Sequence, residues 1–80
     1  MTPGDLVEIH WRDATTLDNW GSLADHREQE MAVIKSAGYL LLMTKDVIKL
    51  VQSVQQDPAG EVCASLTIPR GCIVTMRRKR

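Results

Sequence analysis

Two cysteines, Cys63 and Cys72, and two histidines, His10 and His26, are the only thiols and imidazoles in this 80-residue sequence. A structural zinc site takes four such ligands at set spacings, so neither a metal centre nor any other cofactor is expected. The glycines stand singly at positions 4, 21, 38, 60 and 71, which leaves no glycine-rich loop to cradle a phosphate. No apolar run approaches the roughly 20 residues that cross a bilayer. Met1-Thr2-Pro3-Gly4-Asp5 has neither the basic nor the apolar region of a secretory leader. These absences point to a cytoplasmic protein without membrane contact, its thiols reduced and buried as small hydrophobes.

A catalytic reading fares no better. Acyl transfer needs a nucleophile, a base and an orienting group together in space. Cys72 stands in the apolar run "GCIVTM", where a thiol is inert, and His26 stands in the charged run "DHREQE". The carboxylates are scattered singly. The sequence therefore reads as a non-enzyme with surface histidines and core cysteines.

Acidic residues are missing from the last part of the chain. Residues 1–61 carry ten acids against five bases, whereas residues 62–80 carry five bases (Arg70, Arg77, Arg78, Lys79, Arg80) and no acid. The formal net charge of zero thus hides a −5/+5 asymmetry, which suits either a polyanion or head-to-tail packing of identical subunits.

What is present is β pattern. "DLVEIHWRD" alternates, with Val7, Ile9 and Trp11 on one side and Glu8, His10 and Arg12 on the other, and reads as a half-buried strand. "LDNWGSLADHREQE" is polar and irregular, a long loop in which Ser22 is placed to N-cap a short helical turn running to Glu28. "MAVIKSAGYLLLM" and "VIKLVQSV" are strands joined at Thr44-Lys45-Asp46, with Gly38 marking a bulge or sharp bend in the first. A helix over "GYLLLMTKDVIKLVQ" is the competing reading. Val33, Ile34, Val47, Ile48 and Val51 and the lack of caps speak against it. "QQDPAGE" is a turn, and "VCASLTIP" and "CIVTMRR" are two further strands meeting at a corner, Pro69-Arg70-Gly71.

Five strands in 80 residues, with one very short last connection, predict a mainly β single domain over residues 1–80. The expected form is a five-stranded, strongly bent small barrel that closes most of its own edges. A chain this short buries only about 60–65% of its unfolded surface, so subunit contacts are expected to supply the rest.

"VEIHWRDA" with Trp20, "SAGYLLLMTKDVIKLVQS" and "LTIPRGCIVTMRR" together resemble the Sm-like small β-barrel family, including small phage-encoded proteins of that barrel. The resemblance covers about half the chain. It implies a homo-oligomeric ring in which the fifth strand of one subunit pairs with the fourth strand of its neighbour. It also implies a phage origin and a bacterial host cytoplasm. RNA-binding members place an Asp and an Asn after the glycine of the second strand; here those positions hold Thr44 and Ile48, with Asp46 two residues late. No RNA-reading residue is carried over.

The candidate ligand-binding residues are Trp11, Arg12, Trp20, Lys35, Tyr39 and Arg70. Trp11 shares the apolar side of its strand with Val7 and Ile9, so core packing is its simpler role. Trp20 either pins its loop to the barrel or offers a base a stacking platform, and Tyr39 beside Gly38 has the same two readings. Arg and Lys suit phosphate, although Arg12, Lys35 and Arg70 also fit a solvated surface. The principal expectation is a non-enzymatic ring that binds a nucleotide-type ligand at subunit interfaces, sequestering an immune signal. The alternatives are RNA or single-stranded DNA binding through Arg77, Arg78, Lys79 and Arg80, and a purely structural virion or assembly component.

Overall fold

Alternating side chains set the architecture. In the computed structural model, which describes residues 1–56 and 60–79, strand β1 (Leu6–Asp13) turns Val7, Ile9 and Trp11 inward. Strands β2 (Ala32–Met43) and β3 (Val47–Val54) form a hairpin whose turn is held by Thr44. The Thr44 amide donates to the Val47 carbonyl (2.9 Å), and its hydroxyl accepts from the amides of Asp46 (3.2 Å) and Val47 (3.1 Å). Strand β4 (Val62–Pro69) leads through a 3-10 turn, Arg70–Cys72, into β5 (Ile73–Arg78). The short corner expected at Pro69-Arg70-Gly71 is this turn. The helical alternative for β2 and β3 is absent, and Asp57, Pro58 and Ala59 of the expected "QQDPAGE" turn lie outside the described residues.

The strands pair in the order β4-β3-β2-β1-β5, all antiparallel. The chain is mainly β with five strands, as expected, but the sheet does not close into a barrel. Among the described residues β4 and β5 pair with no strand on their outer sides. The expectation that the fold closes most of its own edges is therefore corrected: two remain open.

One face of the sheet holds the core, where Val7, Ile9, Trp11, Leu40, Ile48, Leu50 and Ile68 pack together with Ile34, Cys72, Ile73 and Met76 along their border. The Trp11 indole N–H donates to the Ser36 hydroxyl at 3.0 Å, which satisfies the only polar atom of a buried indole. Cys72 meets the core, as expected of a small hydrophobe, whereas Cys63 is exposed on β4. Cys63 falls on an edge strand with no neighbour to cover it.

Gly38 is where β2 runs close against β3, while the register irregularity of β2 falls between Leu40 and Leu42 rather than at the glycine. A Cβ there would lie 2.9 Å from the Val51 carbonyl oxygen and 3.3 Å from Leu50 Cβ, so the close approach of β2 to β3 needs a bare Cα. In β4, Ala64 has φ 59, the left-handed region that L side chains avoid, and the β3–β4 ladder skips the Gln52–Ala64 pair.

Between β1 and β2 an arm leaves the sheet. It contains the short helix α1 (Leu23–Arg27), N-capped by Ser22, whose hydroxyl accepts from the Asp25 amide (3.1 Å) while Asp25 returns a bond to the Ser22 amide (3.3 Å). The cap is the one expected. The arm's base is tied by Thr15, whose hydroxyl donates to the Glu30 carbonyl at 2.7 Å. No residue of α1 is buried and Trp20 is fully exposed, so the expected pinning of the loop by Trp20 does not occur within one chain.

The result is under-buried for its size. Its radius of gyration is 16.1 Å, against about 12 Å for a compact domain of this length. Its accessible surface is 6228 Å², against roughly 4,900 Å² for a folded monomer of 9.0 kDa.

Two substitutions test the sheet geometry by urea unfolding. Gly38→Ala forces a methyl against backbone and is expected to destabilise by about 1–3 kcal/mol. Ala64→Gly relieves about 1–2 kcal/mol of left-handed strain. That outweighs the ~0.4–1 kcal/mol gained by the unfolded chain, so the variant should be the more stable protein.

Candidate functional site

The polar face of β1 becomes a site because of what pairs on either side. Antiparallel registration sets Glu8 opposite Arg77 of β5 and Ala37 of β2, and His10 opposite Thr75 and Lys35. Glu8 is the one buried polar side chain among the described residues, only 3% exposed. Its carboxylate collects three cations: Lys35 Nζ at 3.2 Å from Oε1, and Arg77 Nε at 3.0 Å and Lys79 Nζ at 3.2 Å from Oε2. His10 Nε2 stands 3.8 Å from the same Oε2.

Burial pushes the Glu8 carboxyl up, and the hydrogen bonds from Lys35, Arg77 and Lys79 outweigh it. The net effect lowers the group from its ordinary 4.5 to about 2. Glu8 is therefore ionised at neutral pH, and the cluster of one carboxylate and three cations keeps an excess of two positive charges. The cations' outer ends are in water, since the Lys35, Arg77 and Lys79 side chains are all well exposed.

The candidate residues read from the sequence do not converge. Lys35 joins the Glu8 cluster. Arg12 lies farther along β1 on the same face, opposite Val33, beside Glu30 and Met31. Tyr39 is four residues from Lys35 on β2, roughly 13 Å along the strand. It lines an apolar groove of about 350 Å³ with Pro3, Leu41, Val51, Val54 and Val62. Arg70 sits in the turn between β4 and β5, where its Nη1 donates to the Thr44 carbonyl at 2.7 Å and braces the β2–β3 turn. Trp11 is in the core and Trp20 on the arm.

The basic terminus is no frayed tail. The Lys79 amide donates to the Leu6 carbonyl at 2.7 Å, Arg77 and Lys79 hold Glu8, and Arg78 Nη1 lies 3.9 Å from Asp5 Oδ2. Arg80 lies outside the described residues. Glu8 was not singled out by its sequence context. The only signal is an acid alternating with core positions on a central strand, and its meaning depends on pairing with a strand almost 70 residues away.

Neither thiol has a histidine as hydrogen-bond partner among the described residues, and no three His, Cys, Asp or Glu side chains there gather as metal ligands. No helix of the described residues is long and apolar enough to cross a membrane.

The charge cluster carries a pH dependence of defined sign. The native state keeps Glu8 ionised down to about 2, while the unfolded chain takes up its proton near 4.5. The unfolded state binds more protons in that window, so the contribution of Glu8 is complete above it and is lost as pH falls through it. Melting temperature should drop between those pH values. In Glu8→Gln the drop should be shallower, with lower stability already at neutral pH; equal slopes in both proteins would contradict the assignment. Comparison of the chain with protein-family models, with curated proteins and with solved structures finds no match.

Proposed function

We propose that this chain is a non-catalytic, Sm-like subunit of a closed homo-oligomer that holds a nucleotide-type ligand at its subunit junctions. The observation behind this reading is the pair of open strand edges at opposite ends of one sheet. The outer side of β4 on one copy and the outer side of β5 on the next are different surfaces. Their pairing is therefore head-to-tail, and a head-to-tail contact closes into a ring when its rotation allows. Unpaired edges otherwise invite uncontrolled association.

The chain has surface to spare for such contacts. The chain exposes roughly 1,300 Å² more than a folded monomer of its mass. A standard interface buries about 800 Å² per partner, and a ring subunit makes two. Exposed Val62 and Leu66 on β4 and Val74 on β5 supply apolar side chains at the edges to be joined.

Sequestration of a small anionic signal, as would profit a phage in its host, fits a ring with cations on the joining strand β5. Binding of RNA or single-stranded DNA by the C-terminal bases is the weaker reading, because alternation along β5 turns Arg78, opposite Val7 and beside Asp5, to the other side from Arg77, so the described bases form no continuous strip.

Native mass spectrometry of the purified protein tests the proposal. The expected spectrum is a multiple of the 9.0 kDa chain, with added mass of a nucleotide per junction when ligand is retained. Thr67→Pro refines it. The Arg70 amide points inward to the Asp46 carbonyl (2.9 Å), and alternation turns the Thr67 amide outward. Proline there removes an edge donor without breaking the β3–β4 ladder. The variant should be a folded monomer; a wild-type monomer would overturn the ring.

A further inference from the structure

We propose that the Glu8 cluster is an anion site for the phosphate end of a nucleotide, built from β1, β2 and β5 of a single chain. It goes beyond the ring reading, since every group in it belongs to one subunit.

Three cations converge on one carboxylate, so their mutual repulsion is only partly compensated. An anion with two or more charges would complete the balance. Its place is on the outer side of the cations, because both Glu8 oxygens are already taken on the inner side.

The donors are left free in the right way. Arg77 gives only its Nε–H to Glu8, and among the described residues neither terminal nitrogen of its guanidinium has a partner. The two ends of that fork match two oxygens of one phosphate. Each lysine ammonium has three N–H donors and spends one direction on Glu8. Thr75 occupies the same face of β5 opposite His10. Arg12, two residues beyond His10 on that face of β1 and beside Glu30, marks the far end of the strip.

Glu8 is then a positioning residue: it fixes three long, flexible side chains in one place before the ligand arrives, which reduces the ordering cost of binding. Phosphate chemistry is favoured over a carboxylate ligand by charge, since a single carboxylate would neutralise only half of the excess. The strip along β1 from Glu8 to Arg12 spans four residues, roughly 13 Å, which is the reach of a short polyphosphate rather than of a long strand.

Isothermal titration with inorganic pyrophosphate at low ionic strength tests the site directly. The wild type should bind it, and a nucleoside triphosphate at least as well. Arg77→Lys keeps the charge and the Glu8 contact but loses the fork, so affinity should fall by about tenfold. The double change Lys35→Gln with Arg77→Gln should abolish binding, with folding verified by circular dichroism. Lys45→Gln, in the β2–β3 turn, should leave affinity unchanged. The Thr67→Pro monomer should still bind, which separates a failed ring from a failed anion site. Absence of pyrophosphate binding in the wild type would overturn the proposal. So would equal losses in Lys45→Gln and Arg77→Lys, or binding confined to a single-stranded oligonucleotide.

Discussion

The outer amides and carbonyls of β4 and β5 have no partner strand among the described residues, and a sheet left in that state is under strong pressure to acquire one. Small β proteins usually remove their edges by closure. Here the short Arg70–Cys72 turn joins β4 to β5, yet β5 pairs with β1 and β4 with β3, and the two do not pair with each other. The core is correspondingly small, a single layer of aliphatic side chains with Trp11 at its margin. The arm between β1 and β2, with no buried residue in α1, adds to the surface in excess of a monomer's.

β1 ties the two faces together. Its inward residues Val7, Ile9 and Trp11 build the core, and its outward Glu8 gathers Lys35, Arg77 and Lys79. This accounts for the uneven charge along the chain. The basic terminus is a strand, and it lies against the acids of the first strand and its approach: Arg78 by Asp5, Arg77 and Lys79 by Glu8. Part of the asymmetry seen along the sequence is therefore neutralised inside one chain. What survives is local, a positive excess on the β5–β1–β2 face.

The strands were legible because each carries its own alternation and punctuation. "VIKLVQSV" and "VCASLTIP" are strands end to end, and Ser22 caps the short helix as its hydroxyl predicts. Gly38 stood out in the sequence, but what it serves is the close Val51 carbonyl, 2.9 Å from a would-be Cβ, and the irregularity of β2 lies between Leu40 and Leu42. Barrel closure was not legible, because strand count does not say which edges meet. Glu8 stayed hidden because its partners come from a distant strand. Trp20 misled for another reason: a lone tryptophan in a polar loop resembles an anchor, yet its side chain is free in solvent. Arg70 took a structural duty at the Thr44 carbonyl that no local pattern signals. Local information thus gave the elements, and non-local pairing decided the site.

Hydrogen exchange at two protein concentrations tests the central claim, that the open edges are completed by another copy of the chain. The amides to follow are those turned outward near Thr67 on β4 and between Val74 and Arg78 on β5, with the buried β1 amides as an internal reference. The account predicts that the edge amides are protected when the protein is concentrated and exchange quickly on dilution, while β1 stays protected throughout. Rapid exchange at both edges whatever the concentration, with β1 still protected, would contradict it and leave the sheet as a folded monomer with two bare edges.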